Sequence, residues 1–487
     1  MSFSGSELGA WHPRILPDVL AQQAGVSLYD DLGSSWKLNV SSRGFTAGPT
    51  VGMPPGITVF LDGIRQNEAD AQEVNFDLLP LDAVDHVELL SGTASLLGPN
   101  SLGGAISLVT VRGDGPPHGE VQTSAGSFGA YRAQGEAGGR TNDGWDYYAS
   151  GETGVDRGRR AATGDREYNV FTNFGRDGDA RGVRFQILSS RSRAETAGSL
   201  PEALFHLTPS ANFTPGDFED LEAQQASVSG YAPIAHGQAT FTVYGRRSTA
   251  ERFNVNQAPD PNVRGFTTNL SFGGTADERW TASVGPGTLA IRIGVDGAVS
   301  RVRVRLYDEA QMAVGLASGN VSDVSAASDS SDLTTDVESP SPNVAGYALA
   351  DYRVGRATLS GGMRGDYVRT PFHNMLNPAN DAVSTYTHLS PRVGASVDLG
   401  GGLLGYASAG GSFRAPAILE LSCADPSAAC PLPFALGDDP PLAPVVARTY
   451  EIGVRWIRSS ALLSASVYRT DVRDEIFFVA SEHALLS

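Results

Sequence analysis

A recurring alternation of apolar and polar residues is the feature that most constrains this chain. From Tyr450 to Trp456 every second residue is large and apolar, and the residues between them are polar or glycine. The segments 357–367 and 389–399 alternate in a similar way, with smaller residues such as Ala357, Gly361 and Pro391 at some of the apolar positions. Because successive side chains of a β-strand point to opposite faces, each segment is predicted to be a strand with one apolar and one polar face.

The predicted strands are long and numerous. We count about fifteen of them after residue 119, each of about ten residues or more, which fits a large membrane barrel better than a soluble sandwich. No apolar run approaches the roughly 18 residues of a membrane helix. Strands of a barrel need no such run, because only one of their faces contacts lipid.

The connections between these segments alternate between short and long, as in outer-membrane barrels. Short turns are expected at residues 138–144, 175–182, 235–237, 285–287, 354–356, 400–402 and 458–460. Long polar loops are expected at residues 154–167, 191–222, 247–265, 308–342, 371–385 and 412–446. The long loops of such barrels lie outside the cell.

The first hundred residues have a different sequence pattern, in which short helix-like and strand-like segments are mixed. Leu16, Val19 and Leu20 have helical spacing, and residues 57–61 read as a strand before an Asp-Gly turn. We therefore divide the chain into an N-terminal remnant (1–12), a small α+β domain (13–112) and a strand-rich domain (119–487).

The net charge and the cysteine content limit which partners and which compartment we expect for this protein. The formal net charge is -18, and the sequence has no basic stripe of the kind that neutralises phosphates, so we expect no nucleic-acid partner. Cys423 and Cys430 are close together with no histidine nearby, which favours a disulfide formed in an oxidising compartment. Two thiolates are few for a closed zinc site, and a pair of free thiols is the remaining alternative.

Four motifs in the first domain occur in a fixed order. They are Ser42-Arg43-Gly44-Phe45, the run from Val59 to Arg65, the run from Leu81 to Gly92, and the run from Ser95 to Thr110. In this order and spacing they resemble the plug domain of TonB-dependent outer-membrane receptors. Segments 361–366, 390–394, 411–416 and 450–453 resemble parts of the barrel of the same family.

The resemblance implies an α+β plug domain inside a large antiparallel transmembrane β-barrel. Its plug signature consists of Arg43, Gly44, Asp62, Gly63, Glu88, Gly92, Gly98, Gly103 and Gly104. Within a plugged lumen, we expect Arg43 and Glu88 to pair with barrel charges such as Arg303, Arg364 or Glu451. The last three glycines of the signature are expected to let backbone pass close to backbone.

The function implied by the resemblance is energy-coupled uptake of a scarce ligand, with a ferric siderophore as the commonest ligand in the family. The implied partners are the TonB complex of the inner membrane, a small molecule such as a metal chelate, and outer-membrane lipid. The protein breaks no bond, and neither a cofactor nor a metal site is expected.

Two plug stretches, residues 48–56 and 65–74, lie between strands and are polar or proline-rich, as binding loops often are. From them and from the barrel we select as ligand-facing residues Pro49, Met53, Pro54, Arg65, Gln66, Asn67, Glu68, Gln72 and Arg414.

Alternatives remain at this point. A passive porin or adhesin would need no plug, and no catalytic motif such as Gly-x-Ser-x-Gly stands out. No TonB box is visible before Pro13, and the strand count is about seven short of the 22 of plugged transporters. We therefore expect a C-terminally truncated barrel with an unpaired first and last strand, and a non-functional truncated receptor is a further alternative.

Overall fold

The computed structural model describes residues 2–11, 13–53, 55–92, 98, 100–256, 261–309, 331–422, 442–458 and 461–477. Pro54, Cys423 and Cys430 lie outside these residues, so the expected disulfide stays a prediction. None of the helices in the described part of the chain is both long and apolar enough to cross a bilayer.

Residues up to Thr110 form a small mixed α/β unit, called the plug below. Its elements are β1 (Ser2–Ser4), α1 (Gly5–Trp11), α2 (Leu16–Leu20), β2 (Val26–Tyr29), β3 (Asn39–Ser42), β4 (Phe45–Ala47), β5 (Ile57–Leu61), β6 (Ile64–Arg65), β7 (Val84–Ser91) and β8 (Gly104–Thr110), with 3₁₀ turns at Phe76–Leu78 and Leu81–Ala83. One sheet has the order β1-β7-β8-β5-β6, and β2-β3-β4 form another. Residues 2–4, which fall in the predicted N-terminal remnant, therefore add an edge strand to the plug.

The plug core explains why these residues fold together. Leu16, Val19 and Leu20 are fully buried on one face of α2, as their spacing predicts. They belong to one apolar cluster with residues of β5 and β8, such as Val59 and Ile106. The predicted strand at residues 57–61 is confirmed, and β8 pairs with it in parallel.

The rest of the described chain forms one antiparallel sheet of fifteen strands, called the wall below. Its strands are β9 (His118–Ala125), β10 (Tyr131–Arg140), β11 (Trp145–Asp156), β12 (Asp165–Asp177), β13 (Gly182–Glu195), β14 (Phe218–Ile234), β15 (Gly237–Asn254), β16 (Asn262–Val284), β17 (Gly287–Glu309), β18 (Ser331–Val354), β19 (Ala357–Asn374), β20 (Ala382–Gly400), β21 (Leu403–Arg414), β22 (Val445–Arg458) and β23 (Ala461–Arg473). Its short helices are α3 (Glu202–Leu207) and α4 (Ile418–Ser422), with 3₁₀ turns at Ser127–Gly129 and Pro378–Asn380.

Each wall strand pairs with its neighbours in the chain, and the count of fifteen agrees with the sequence prediction. Within the described residues, β9 pairs with β10 alone and β23 pairs with β22 alone. The barrel is therefore not closed, which confirms the expectation of two outer strands without a second partner.

Side chains of the wall alternate between a face toward the plug and a face away from it. On β13, Arg184, Gln186 and Leu188 are buried, whereas Phe185 and Ile187 are exposed. Polar residues thus face inward together with some apolar ones such as Leu188, whereas the outward residues in this part of the strand are apolar, the reverse of a soluble sheet. An outward apolar band of this kind is what a lipid bilayer requires.

The outward face becomes charged toward the long loops. On β17, Val302 is buried against the inner side, while Arg301 and Arg303 point the other way. Arg303 binds Asp336 of β18 at 2.8 Å. The expectation that Arg303 pairs with a plug charge is therefore wrong. Beyond the apolar band the outer surface is in water, where a charge costs little.

The outward band generates a prediction. Val393 of β20 is 60% exposed in the middle of a run of outward apolar residues. Val393→Arg should lower the free energy of unfolding from lipid vesicles by about 2–4 kcal/mol, because it places a charge in hydrocarbon. Thr387→Arg, on the same face of β20 nearer its long loop, should cost below about 1 kcal/mol. Equal losses for the two variants would contradict an outward lipid-facing band.

Candidate functional site

A two-residue turn positions the plug against the wall. Asp62 and Gly63 join β5 to β6 with φ angles of 48° and 80°, the conformation for which Asp-Gly is favoured in tight hairpins. The Asp62 carboxylate accepts hydrogen bonds from the backbone and hydroxyl of Thr110 and from the Gln186 amide of β13. The turn therefore fixes β5 both to β8 and to the wall.

Glu68 makes the most completely bonded contact between plug and wall. Its carboxylate accepts from Arg246 of β15 at 2.5 and 3.0 Å, from Ser248 at 2.5 Å and from Asn269 of β16 at 3.0 Å. Burial opposes ionisation of this carboxyl, but Arg246 and the other donors outweigh it and lower the pKa of Glu68. Glu68 is therefore an ionised anchor in the lumen.

Two neighbouring plug carboxyls differ from Glu68 because they are short of partners. Burial raises the pKa of Glu73 to about 8, and the charge of Asp70 adds to the rise, although Arg252 of β15 lies 3.0 Å away. Burial likewise raises the pKa of Asp70. Near neutral pH this part of the interface therefore holds protons that an exposed carboxyl would have released.

Further ion pairs continue around the plug. Lys37 is fully buried between Asp77 at 2.7 Å and Glu219 of β14 at 3.5 Å. Asp82 accepts from Arg132 of β10 at 2.7 Å. Together with the pair between Arg43 and Glu451 of β22, these contacts reach the plug from strands near both ends of the wall, so the sheet curves around the plug.

The Arg43–Glu451 pairing expected from the sequence is present. The Arg43 guanidinium donates to both carboxylate oxygens of Glu451 on β22, at 2.8 and 3.0 Å, and lies 4.4 Å from the ring centre of Tyr468 on β23. The other expected wall pairings are wrong. Arg364 binds Asp296 and Asp366 within the wall, and the partner of Glu88 is His86, at 3.8 Å.

Gly103 shows why small residues are needed in this part of the plug. A Cβ built there would lie 2.1–2.6 Å from side-chain atoms of Phe45. The side-chain space at Gly103 is therefore occupied by an aromatic ring of the plug. The backbone of Gly103 also lies close to other backbone, as expected, since it hydrogen-bonds to Gly56 at 2.9 Å and to Gly92 at 3.1 Å. Of the other signature glycines, Gly44 and Gly92 have positive φ angles, and Gly98 and Gly104 have φ angles near 150°.

A cavity of about 410 Å³ lies between the plug and strands β15 to β19. Its volume is in the range of small-molecule sites, about 300–1,000 Å³. The segment 415–418, next to a long loop, lines one part of it, so the cavity extends along the wall from the loop side. Other residues that line it include Arg65, Asn67, Gln72, Asn100, Tyr244, Arg246, Arg292, Asp296 and Tyr347.

The predicted ligand-facing residues divide into three groups. Arg65, Asn67 and Gln72 line the luminal cavity. Gln66 and Glu68 are buried in contacts with the wall, since Gln66 donates to Gln225 of β14 at 3.0 Å. Pro49 is buried, Met53 is exposed, and Arg414 is buried 2.7 Å from Glu420. A role in ligand binding stays a prediction for all of them.

The sequence reading missed the wall residues of the cavity. Tyr244 and Arg246 stand at alternate positions of β15 and both line it, as do Asp296 of β17 and Tyr347 of β18. Their signal was available, because polar residues at every second position mark the inward face. The register that places these three strands around one cavity could not be predicted from the sequence.

Two family models match the chain. The TonB-dependent receptor plug domain matches residues 2–105, and the TonB-dependent receptor-like β-barrel matches residues 101–484. The chain belongs to the TonB-dependent receptor family. Members of this family are receptors and transporters of the outer membrane, and their plug and barrel correspond to the two units described above.

Individual relatives are distant. The vitamin B12 transporter BtuB of Photobacterium profundum is 28% identical over 152 residues, which are 31% of this chain and 24% of the transporter. Among solved structures, the unliganded ferric citrate transporter FecA has a TM-score of 0.78 at 16% identity, covering 97% of this chain and 69% of that one. The ferric yersiniabactin receptor FyuA of Yersinia pestis has a TM-score of 0.72 at 15% identity, covering 97% and 72%.

The Glu68 contact generates a prediction about how the plug is held. Glu68→Gln leaves Arg246 buried without a counter-charge and should lower the free energy of unfolding by about 3–5 kcal/mol. The double variant Glu68→Met/Arg246→Met should lower the free energy of unfolding much less, because both charges are removed together. Guanidinium chloride unfolding of the chain in detergent micelles measures both.

Glu222→Gln is the matched control, since Glu222 pairs with the half-exposed Arg191 at 3.2 Å on the outer face. This variant should cost below about 1 kcal/mol. A Glu68→Gln variant as stable as the Glu222→Gln variant would show that the buried pair does not hold the plug.

Proposed function

We propose that this protein is an outer-membrane receptor for energy-coupled uptake of a scarce small molecule, with a ferric siderophore as its ligand and the TonB complex as its energy source. In this proposal residues 13–112 act as the plug and residues 119–487 as the wall. The plug must then move within the lumen to let the ligand pass.

The single observation that carries the proposal is the occupied lumen. Glu68, Lys37 and Arg43 lie in ion pairs that join the plug to β15, β14 and β22. Breaking one buried pair costs about 3–5 kcal/mol, so thermal motion alone rarely opens several together. A passive porin would gain nothing from such contacts, whereas a receptor driven by an external pull requires a closed resting state.

The choice of an iron chelate is supported by the names of the structural neighbours, which include ferric citrate and ferric yersiniabactin receptors. A cobalamin is the second candidate, because the BtuB relative is a vitamin B12 transporter. Sequence identity to each of these proteins is low, so an uptake measurement is needed to identify the transported ligand.

Uptake assays in the source bacterium test the proposal. Deleting the gene should reduce accumulation of ⁵⁵Fe from at least one ferric chelate under iron limitation to the background level, and inactivating TonB should do the same. Uptake of cobalt-labelled cyanocobalamin by the same strains is measured as the test of the second candidate. Loss of cobalamin uptake with normal iron uptake would assign the second candidate, and iron uptake that persists without TonB would contradict energy coupling.

A further inference from the structure

The luminal cavity contains one guanidinium group whose charge is not balanced by a carboxylate. Arg65, on β6 of the plug, lines this cavity, and no described carboxylate group forms an ion pair with it or contributes to its pKa. Its Nε atom is buried and has no hydrogen-bond partner among the described residues. An unmet donor on a buried cation is costly unless a ligand completes it.

The other arginines of the cavity differ from Arg65 in this respect. Arg246 is neutralised by Glu68 at 2.5 Å, and Arg292 by Asp277 at 2.8 Å. Asp296, an acidic lining residue, is already held by Arg364 through both of its oxygens. The charges that the wall contributes to the cavity are therefore satisfied in pairs. Glu88 of the plug also lines the cavity, but it does not contribute to the pKa of Arg65, so Arg65 has no counter-charge among the described lining residues.

Neighbouring side chains hold Arg65 in place without neutralising it. The Gln72 side-chain oxygen accepts from Arg65 Nη2 and also from the Asn100 amide at 2.6 Å. Burial lowers the pKa of Arg65 to about 10, against the opposing effect of Tyr244. The group therefore remains protonated at neutral pH, so that its positive charge is permanent under physiological conditions.

We propose that Arg65 is the anion-binding residue of the luminal cavity, and that the transported ligand presents an ionised oxygen group, such as a carboxylate, to it. A guanidinium binds such a group with strong, directional hydrogen bonds. The cavity of about 410 Å³ accommodates a small chelate or one arm of a larger one. The inference rests on the proposed uptake function and narrows its substrate class to anionic ligands.

Equilibrium dialysis of the chain in detergent micelles tests the proposal with four probes. Ferric citrate is a ferric chelate that carries carboxylates, and iron-free citrate shows whether the anion binds without the metal. Ferrioxamine B is a positively charged ferric chelate, and cyanocobalamin has no net charge. The variants are Arg65→Gln and Arg65→Lys. Arg301→Gln is the matched control, because Arg301 lies on the outer face and is paired with Glu338 at 2.7 Å.

The wild-type chain should bind ferric citrate, and Arg65→Gln should weaken this binding about tenfold to a hundredfold. Arg65→Lys should retain part of the affinity, and Arg301→Gln should leave it unchanged. Circular dichroism of each variant establishes that it is folded. The proposal is overturned if the wild type binds neither citrate probe, or if folded Arg65→Gln binds ferric citrate as the wild type does.

The outcomes also separate this inference from the uptake proposal. If TonB-dependent uptake is found and Arg65→Gln transports the same ligand at the wild-type rate, the inference about Arg65 fails and the uptake function stands. If Arg65-dependent citrate binding is found but deletion of the gene alters no uptake, the uptake function fails and the anion site stands.

Discussion

The structure depends on one constraint: charges buried between the plug and the wall need partners. The plug presents charged side chains such as Glu68, Lys37 and Arg43, and each is paired with a residue on the inward face of the wall, namely Arg246, Glu219 and Glu451. Because the partners belong to different strands, the pairs fix both the position of the plug and its orientation. Apolar packing alone is non-directional and would leave the plug free to rotate.

The same constraint explains the inverted pattern of the wall strands. Polar residues at alternate positions face the plug, and the apolar residues between them face outward, so a strand such as β13 satisfies two environments at once. Where strands extend past the apolar band, the outward positions become charged, as at Arg301 and Arg303 of β17. Depth along the strand therefore decides which residue types the outer face carries.

The sequence predicted the architecture well because period two is a local property. The number of wall strands and the helical face of Leu16, Val19 and Leu20 both follow from short windows of residues. The Arg43–Glu451 pair was predicted through the family resemblance. The luminal cavity could not be predicted, because it depends on which strands surround one space, and so Tyr244 and Tyr347 were missed while the buried Gln66 and Glu68 were selected.

The central claim is that the plug must separate from the wall for a ligand to pass. A Cβ added at Gly33 of the plug would lie 3.1 Å from the Cβ of Ala197, just after β13 of the wall, so a cysteine pair at these two positions is close enough to form a disulfide. In a chain with Cys423 and Cys430 replaced by serine, oxidised G33C/A197C should bind ligand but lose uptake, which a reductant restores. The wall pair S189C/Q224C should transport normally in both states. Unchanged uptake by the cross-linked plug would contradict the account.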